Sequence, residues 1–399
     1  MTGKGREALR VLQRDGTRGL AQRVARVAYQ RFGAGDLDFP LELADVADSR
    51  GLRLATPATR PARGTPLTVG WVCTPPAPGS GGHTTFFRMV EAVAAAGHTC
   101  VLYLYDRFGG EPARHEQVIR QGWPAMRAQV RSVSDGLVPL DAYVASAWPT
   151  AHVLASRADL PTRRLYFIQD FEPFFYPQGS EYTLAEDTYR FGFRSITVGT
   201  MIAGLLADQF GVSAAVADFG CDTSVYRVSN VDGERRGVVF YAKRDVARRG
   251  FVLGMLALRE FHRRHPEYTI HLFGDATARV PFPAVNHGTL PPARLAELYN
   301  ECAAGIAMSF TNVSLVPEEM LACGAVPVVV DSRYARAGLS SPYARWAQPT
   351  PGALAEALGE AVAKQASTVE ISGSVRSRTW ESAQQVTLQT IENEVYGPA

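Results

Sequence analysis

A group of cations lies between residues 243 and 249 of the 399-residue chain. Lys243 and Arg244 follow the apolar run 237–242 (GVVFYA), and Arg248 and Arg249 come shortly after them. Cations at the end of a strand can offset the charge of a diphosphate in a partly dry cleft. The segment is therefore a candidate diphosphate site, and solvated surface charge is the alternative interpretation.

A polar turn at 309–317 (SFTNVSLVP) leads into a predicted short helix at 318–322. Ser314 and Leu315 can offer backbone N–H groups to phosphate oxygens. Glu319 lies in the first turn of this helix, where its carboxylate can accept hydrogen bonds from sugar hydroxyls. The alternative interpretation of Glu319 is a favourable charge at a helix start.

A glycine-rich loop at 74–83 (TPPAPGSGGH) follows another apolar run. Gly81 and Gly82 allow the backbone to approach a ligand closely. Three interpretations stay open: a substrate-side loop of a two-domain cleft, a plain surface loop, or a dinucleotide fingerprint with Asp106 as the ribose-binding acid. His83, at the end of the loop, is by itself equally consistent with a helix cap or a packing residue.

An aromatic segment at 169–177 (QDFEPFFYP) carries two carboxylates, Asp170 and Glu172, among four aromatic side chains. Aromatic rings stack on the apolar faces of sugars, while carboxylates accept hydrogen bonds from their hydroxyls. The segment suits a carbohydrate platform. The alternative is packing between domains, with the acids solvated.

Short apolar runs alternate with helical periodicity, which predicts parallel sheets covered on both faces. In the first half, strands are predicted at 67–73, 99–105, 142–147, 164–169 and 195–199, with helices at 83–96, 112–123 and 201–210. In the second half, strands are predicted at 237–242, 269–273, 304–310 and 326–330, with helices at 251–264, 294–302, 318–322, 351–364 and 375–396. Ligands of such sheets bind outside the carboxyl ends of the strands, which places the site in the cleft between the halves.

The composition excludes several classes of protein. Hydrophobic residues make up 46% and charged residues 20% of the chain, which is typical of a globular protein and not of a disordered one. The five cysteines include no C-x-x-C pair, which argues against a disulfide framework or a structural zinc site. A net charge of +2 is too small for a nucleic-acid coat, so no nucleic-acid partner is expected. With no apolar leader and no run long enough to span a bilayer, we expect a cytoplasmic protein.

The segment 1–35 differs from the rest of the chain. It holds eight cations against two acids, so it carries +6 while the remainder carries −4. Apolar residues recur there at helical spacing. Either this basic helix docks on its own globular body, or its arginines contact an anionic membrane surface, which would make the protein peripheral on the cytoplasmic membrane face.

These features together resemble the retaining glycosyltransferases of the GT-B fold, family 4, and more closely the bacterial rhamnosyltransferases of surface glycans. The resemblance rests on the motifs 169–173 (QDFEP), 189–192 (YRFG) and 311–320 (TNVSLVPEEM). It implies an α/β architecture with two Rossmann-like parallel-sheet domains that face each other across a cleft. The implied regions are a basic helical extension with a linker at 1–64, an acceptor domain at 65–222, a nucleotide-sugar domain at 223–372 and a final helical segment at 373–399 that packs back on the first domain.

The resemblance assigns roles residue by residue. Glu319 is similar to the second glutamate of the family's paired-glutamate motif, which holds the ribose. The donor diphosphate is assigned to Gly81, Gly82, Lys243, Arg248, Arg249, Ser314 and Leu315. Gly274, Thr311 and Asn312 complete the nucleotide-sugar set. Thr311 replaces the first glutamate of the motif, so Thr311 or Asn312 is expected to hold a 6-deoxy sugar. Lys243 stands where the rhamnosyl enzymes usually have arginine.

The function implied is transfer of L-rhamnose from dTDP-β-L-rhamnose to a hydroxyl of a glycan or lipid-linked acceptor, with retention. His83 and Asp170 are the candidate catalytic residues, and Glu172, Phe174 and Tyr176 are placed on the acceptor side. No candidate loop carries an Asp-x-Asp pair, so no cofactor and no metal are expected. The alternatives are a nucleotide-sugar 2-epimerase and a non-catalytic nucleotide-sugar-binding component of a glycan assembly complex.

Overall fold

A computed structural model gives the fold of the chain. It describes residues 38–77, 79–231, 233–276, 280–363, 366–375 and 379–397, together with Thr17, Ala21, Val24, Ala25, Ala28 and Tyr29. Residues 1–46 and 47–399 form separate compact units. In the first unit a 3₁₀ turn spans Leu43–Asp45, and the predicted basic helix lies, apart from those six positions, outside the described residues.

The N-terminal lobe is built on seven strands in the order β3-β2-β1-β4-β5-β6-β7, and all neighbouring strands are parallel. The strands are β1 Thr68–Cys73, β2 Thr99–Leu104, β3 Gln129–Ser132, β4 Ala142–Ala145, β5 Arg163–Ile168, β6 Arg194–Val198 and β7 Ala214–Ala217. The helices are α1 Gly81–Ala95, α2 Pro112–Gly122, α3 Trp148–Ser156, α4 Ser180–Asp187 and α5 Thr200–Phe210.

The C-terminal lobe is built on six parallel strands in the order β10-β9-β8-β11-β12-β13. The strands are β8 Gly237–Ala242, β9 Thr269–Gly274, β10 Val285–Asn286, β11 Cys302–Ile306, β12 Val326–Val330 and β13 Arg345–Ala347. The helices are α6 Phe251–Arg264, α7 Pro292–Glu301, α8 Val316–Ala322, α9 Arg333–Gly338, α10 Pro351–Ala363, α11 Thr368–Gly373 and α12 Trp380–Tyr396. The prediction of two parallel α/β halves is confirmed.

The last helix of the chain returns to the N-terminal lobe. Trp380, Ile391 and Val395 of α12 are buried in the same apolar core as the strands of the first sheet. The Gln384 side chain donates a hydrogen bond to the Arg88 carbonyl of α1 at 3.1 Å. The polypeptide therefore passes between the lobes twice, once near residue 222 and once before α12.

Some element boundaries differ from the prediction. The strand expected at 304–310 ends at Ile306, and the helix expected from 318 begins at Val316, with Pro317 at a position that a first helical turn tolerates. The helix expected over 375–396 begins at Trp380 and is preceded by the separate helix α11. The polar turn between β11 and α8 therefore spans 307–315, two residues earlier in the chain than the predicted 309–317.

The segment expected to be a linker before residue 65 is tied to the N-terminal lobe. The Ala55 N–H donates to the Ala158 carbonyl at 2.8 Å, and Arg164 donates to the Ala55 carbonyl at 3.0 Å. Ser49 donates from its hydroxyl to the Asp187 carboxylate at 2.7 Å. Residues 47–64 are therefore part of the larger unit, because their backbone groups find partners that composition does not reveal.

We predict that Gly220→Ala destabilises the protein by about 1–3 kcal/mol, as overpacking does in a dense interior. A Cβ at Gly220 would lie 2.6 Å from the Trp380 nitrogen and 2.7 Å from its Cγ, so α12 would have to shift. Urea unfolding measures the change in free energy. Gly204→Ala is the matched control, because its Cβ would meet nothing within 4 Å on a helix surface, where alanine is favoured by up to about 1 kcal/mol. Equal effects of the two substitutions would contradict the packing argument.

Candidate active site

The loops at the carboxyl ends of strands from both sheets contact each other through Asp170. This carboxylate follows β5, and its Oδ2 accepts a hydrogen bond from Thr311 Oγ1 at 2.8 Å. Its Oδ1 accepts from the Asn312 backbone N–H at 3.0 Å. Asn312 Nδ2 in turn donates to the carbonyls of Gln169 and Val198, both at 3.1 Å. A short polar network therefore joins the two lobes.

Two arginines lie beside this network, in the 3₁₀ turn Ala247–Arg249. Arg248 Nε lies 3.8 Å from Asp170 Oδ2, and its guanidinium carbon lies 4.2 Å from the centre of the Phe175 ring. Burial lowers the pKa of Arg249, and the like charge of Arg248 lowers it further. Among the described residues, neither Arg248 Nε nor Arg249 Nη1 has a hydrogen-bond acceptor, although both atoms are buried. The pair is therefore able to bind an anion.

Lys243, predicted to bind the same anion, is paired within its own lobe. Its Nζ lies 2.8 Å from Asp275 Oδ1, and the Arg244 N–H donates to the other oxygen of that carboxylate at 2.9 Å. Asp275 was not among the predicted site residues, and its signal in the sequence is its position directly after the strand β9. The pairing fixes Lys243 at the edge of the site.

Gly274 has a structural reason to be glycine. Its φ of +112° is strained for other residues, and a Cβ there would lie 2.8 Å from the Ala242 carbonyl oxygen. Thr289 donates from its hydroxyl to the Gly274 carbonyl at 3.0 Å. A Cβ on Gly79 would lie 3.5 Å from the Thr289 methyl group, so the glycine-rich loop of the N-terminal lobe reaches the C-terminal lobe here.

Glu319 is half-buried on α8. Burial raises its pKa to about 7, a hydrogen bond from Tyr226 acts in the opposite direction, and the charge of Glu318 adds to the increase. Tyr226 was not predicted and has no motif to mark it. Ser314 and Leu315 lie directly before α8, and the Leu315 side chain packs against the core of the N-terminal lobe.

His83 lies near the start of α1. Its Nδ1 lies 2.8 Å from Ser80 Oγ and its Nε2 lies 3.1 Å from the Thr74 carbonyl oxygen. Burial lowers the pKa of His83, although the hydrogen bond to Thr74 opposes the decrease. The neutral imidazole of His83 thus uses both ring nitrogens in hydrogen bonds to the glycine-rich loop at 74–83, and it orients this loop. Gly81 and Gly82 are unobstructed, since added Cβ atoms would meet nothing closer than 3.8 Å.

The expected acceptor side differs from the structure. Glu172 is 6% exposed, and its carboxylate accepts hydrogen bonds from the Trp148 N–H at 2.5 Å and the Tyr166 hydroxyl at 3.4 Å. The Tyr176 hydroxyl accepts a hydrogen bond from Trp148 Nε1 at 3.1 Å. Phe174 packs between Phe171 and, across the lobe boundary, Tyr334. The alternative of interdomain packing describes Phe174, whereas Glu172 and Tyr176 bond within the N-terminal lobe and Glu172 is buried instead of solvated.

Thr311 and Asn312 also have other contacts than those expected. They are 2% and 5% exposed, and their donors bind the N-terminal lobe instead of facing an open sugar pocket. Asp106, the acid of the dinucleotide alternative, accepts hydrogen bonds from the Phe108 and Gly110 N–H groups of its own loop, both at 2.8 Å. The structure thus brings together Asp170, Thr311, Asn312, Arg248 and Arg249, while Lys243 and Glu319 line other parts of the C-terminal lobe.

Two family models match the chain. The WsaF C-terminal domain matches residues 236–359, and the WsaF N-terminal domain matches residues 128–200. The chain is also 29% identical over 329 residues to the O-antigen biosynthesis protein RfbC of Myxococcus xanthus. That alignment covers 75% of this chain, which spans only 25% of the length of the relative.

Solved structures share the fold. HepE (Alr3699) of Anabaena, in complex with UDP-glucose, superposes with a TM-score of 0.64 at 14% identity and covers 81% of this chain and 99% of its own. TarM of S. aureus, in complex with fondaparinux, alpha-GlcNAc-glycerol and UDP, gives a TM-score of 0.62 at 6% identity over 82% of this chain and 99% of its own. The chain has the GT-B fold. Among the described residues, no helix combines the length and apolar character of a membrane span.

We predict that Glu172→Gln flattens the dependence of stability on pH. Burial raises the pKa of Glu172 from its ordinary value of 4.5 to about 8. The folded state therefore holds a proton that the unfolded chain has released, so stability falls as pH rises between these values. Glutamine keeps an acceptor for the Trp148 N–H without the charge. Melting temperatures of both proteins from about pH 5 to about pH 8.5 should converge at the acid end and diverge at the alkaline end, where the variant is more stable. Glu360→Gln, on an exposed position of α10, is the control and should follow the wild type throughout.

Proposed function

We propose that the protein transfers a sugar from a nucleoside-diphosphate donor to a hydroxyl of a glycan acceptor, with retention of configuration. The observation that carries the proposal is the Arg248–Arg249 pair at the strand ends of a GT-B cleft, whose buried Nε and Nη1 donors find no acceptor in the part of the chain that the structure describes. The names of the relatives support it: HepE was solved with UDP-glucose, and RfbC is named for O-antigen biosynthesis. Because the chain spans a quarter of RfbC, the activity and acceptor of that protein are taken over only as a proposal.

The chemistry follows from charge. The bond between the anomeric carbon and the diphosphate oxygen breaks, and negative charge develops on the leaving diphosphate. Fixed cations in a low-dielectric site stabilise this charge more strongly than water does. The acceptor hydroxyl forms the new bond on the same face of the sugar, and its proton passes to the departing phosphate. Arg248 and Arg249 supply most of the stabilisation, and Lys243 adds to it from the edge of the site.

We propose dTDP-β-L-rhamnose as the donor. The position at which related enzymes carry an acid toward the donor sugar is Thr311, so the C-terminal lobe does not itself supply a carboxylate there. Asp170 supplies one from the opposite lobe, 2.8 Å from Thr311 Oγ1. Glu319 binds the sugar of the nucleoside, and metal-independent transfer and lipid contact through residues 1–35 remain predictions of the sequence.

A donor screen tests this assignment. With dTDP-rhamnose, dTDP, UDP-glucose and UDP as probes, we expect dTDP-rhamnose to raise the melting temperature most, because a ligand at 100 times its Kd adds about 2.7 kcal/mol of stability. Incubation with dTDP-β-L-rhamnose and rhamnoside acceptors in EDTA should give a β-linked product, because retention keeps the anomeric configuration of the donor. A shift with UDP-sugars alone would replace the donor assignment, and activity that returns only with manganese would make metal independence wrong. Donor conversion without acceptor would favour the 2-epimerase, and binding without turnover would favour the non-catalytic binder.

We predict that Arg249→Gln lowers kcat/KM by about 100-fold or more, as expected for loss of a transition-state charge contact. Arg249 Nη1 has no acceptor among the described residues, so removing this nitrogen leaves no hydrogen-bond acceptor of the protein without its donor. The fold should therefore persist. Steady-state kinetics with the donor identified above measures the effect. Arg259→Gln, on an exposed position of α6, is the matched control and should behave as wild type. Comparable kcat/KM in the two variants would remove Arg249 from the mechanism.

A further inference from the structure

Asp170 belongs to the N-terminal lobe but faces the cations of the other lobe. Its Oδ2, which accepts the hydrogen bond from Thr311, is also the atom 3.8 Å from Arg248 Nε. Its charge acts on both arginines: it opposes the decrease in the pKa of Arg249 that burial causes, while both arginines favour the ionised form of Asp170. The carboxylate is thus an anion already present at the cationic pair.

A diphosphate at the same arginines would compete with that carboxylate. Two anions in a partly dry site repel each other strongly, because little water screens them. Arg248 Nε lies beyond hydrogen-bond distance of Asp170 and has no acceptor among the described residues, so it can bond an incoming phosphate oxygen. The hydrogen bonds from Thr311 and the Asn312 N–H hold the carboxylate close enough to interact with the guanidinium group without engaging it fully.

We propose that Asp170 is an internal counter-ion for Arg248 and Arg249, which balances their charge in the empty site and is exchanged for the diphosphate when the donor binds. The inference rests on the proposed function, since it takes a diphosphate as the ligand. When the donor binds, the arginines lose their attraction to Asp170. Only the difference between the two attractions then contributes to the affinity for the donor. The nucleoside diphosphate left after transfer is therefore held less tightly, and the returning carboxylate promotes its release.

This exchange distinguishes a counter-ion from a merely structural contact. If Asp170 only joined the lobes, removing its charge would weaken the site and with it the binding of ligands. A counter-ion has the opposite effect: a neutral side chain of the same shape leaves the arginines available and strengthens anion binding. The sign of the change in affinity is therefore the diagnostic measurement.

The experiment compares the wild type with Asp170→Asn by calorimetry, using pyrophosphate, dTDP and UDP as probes at pH 8. Burial raises the pKa of Asp170, so an alkaline buffer is chosen to favour its ionised form in the wild type. We expect D170N to bind the nucleoside diphosphate roughly three- to tenfold more tightly, the scale of a half-buried ion pair. Product inhibition by that nucleoside diphosphate should strengthen by the same factor. Circular dichroism establishes that the variant is folded.

Two further variants complete the test. In an Arg248→Gln background, D170N should gain much less affinity, because the partner of the carboxylate is absent. Glu260→Gln removes an acid that also pairs two arginines, Arg263 and Arg264, but lies on the outer helix α6, and it should leave the affinity unchanged. Unchanged or weaker binding by folded D170N, or a full gain in the Arg248→Gln background, would overturn the counter-ion. If the wild type transfers sugar but D170N shows no gain, only this inference fails, whereas a wild type that binds none of the probes overturns the proposed function as well.

Discussion

Positive charge held away from bulk water needs an anion, and this requirement organises the site. Arg248 and Arg249 lie in a turn that buries Arg248 Nε and Arg249 Nη1, and desolvating a cation is costly unless an opposite charge compensates. The N-terminal lobe supplies a carboxylate, Asp170, whose Oδ2 lies 3.8 Å from Arg248 Nε. In the proposed function, binding of a nucleoside diphosphate and stabilisation of the leaving group depend on the same few charges as the contact between the lobes.

The direction of the strands in the two sheets brings the charged loops together. Because every neighbouring pair of strands is parallel, each sheet gathers its loops at one edge, and the two edges face each other. The loop after β5 carries Asp170, the loop after β8 carries the arginines, and the turn after β11 carries Thr311 and Asn312. Residues more than a hundred positions apart thus meet without any long, unsupported loop.

The sequence predicts the elements that are strongly apolar and periodic, and it predicts the cationic segment, because strand ends and charge are local properties. It misses β3, whose four residues (QVRS) are half-buried or exposed and so form no apolar run. It also places Glu172 in the cleft with Asp170. The 3₁₀ turn Glu172–Phe175 instead turns this side chain toward Trp148 and Tyr166. Such partners come from distant parts of the chain, so neither composition nor spacing identifies them.

The return of α12 to the first sheet has a consequence for how the protein is made. Domains generally fold as units while the ribosome is still adding residues, but here the apolar core of the N-terminal lobe includes Trp380, Ile391 and Val395. The lobe that emerges first must wait for almost the whole C-terminal lobe to be translated before its last helix can dock. During that interval the apolar surface on α1 and β7 is uncovered, and nascent chains at this stage are the species most exposed to aggregation and to chaperones.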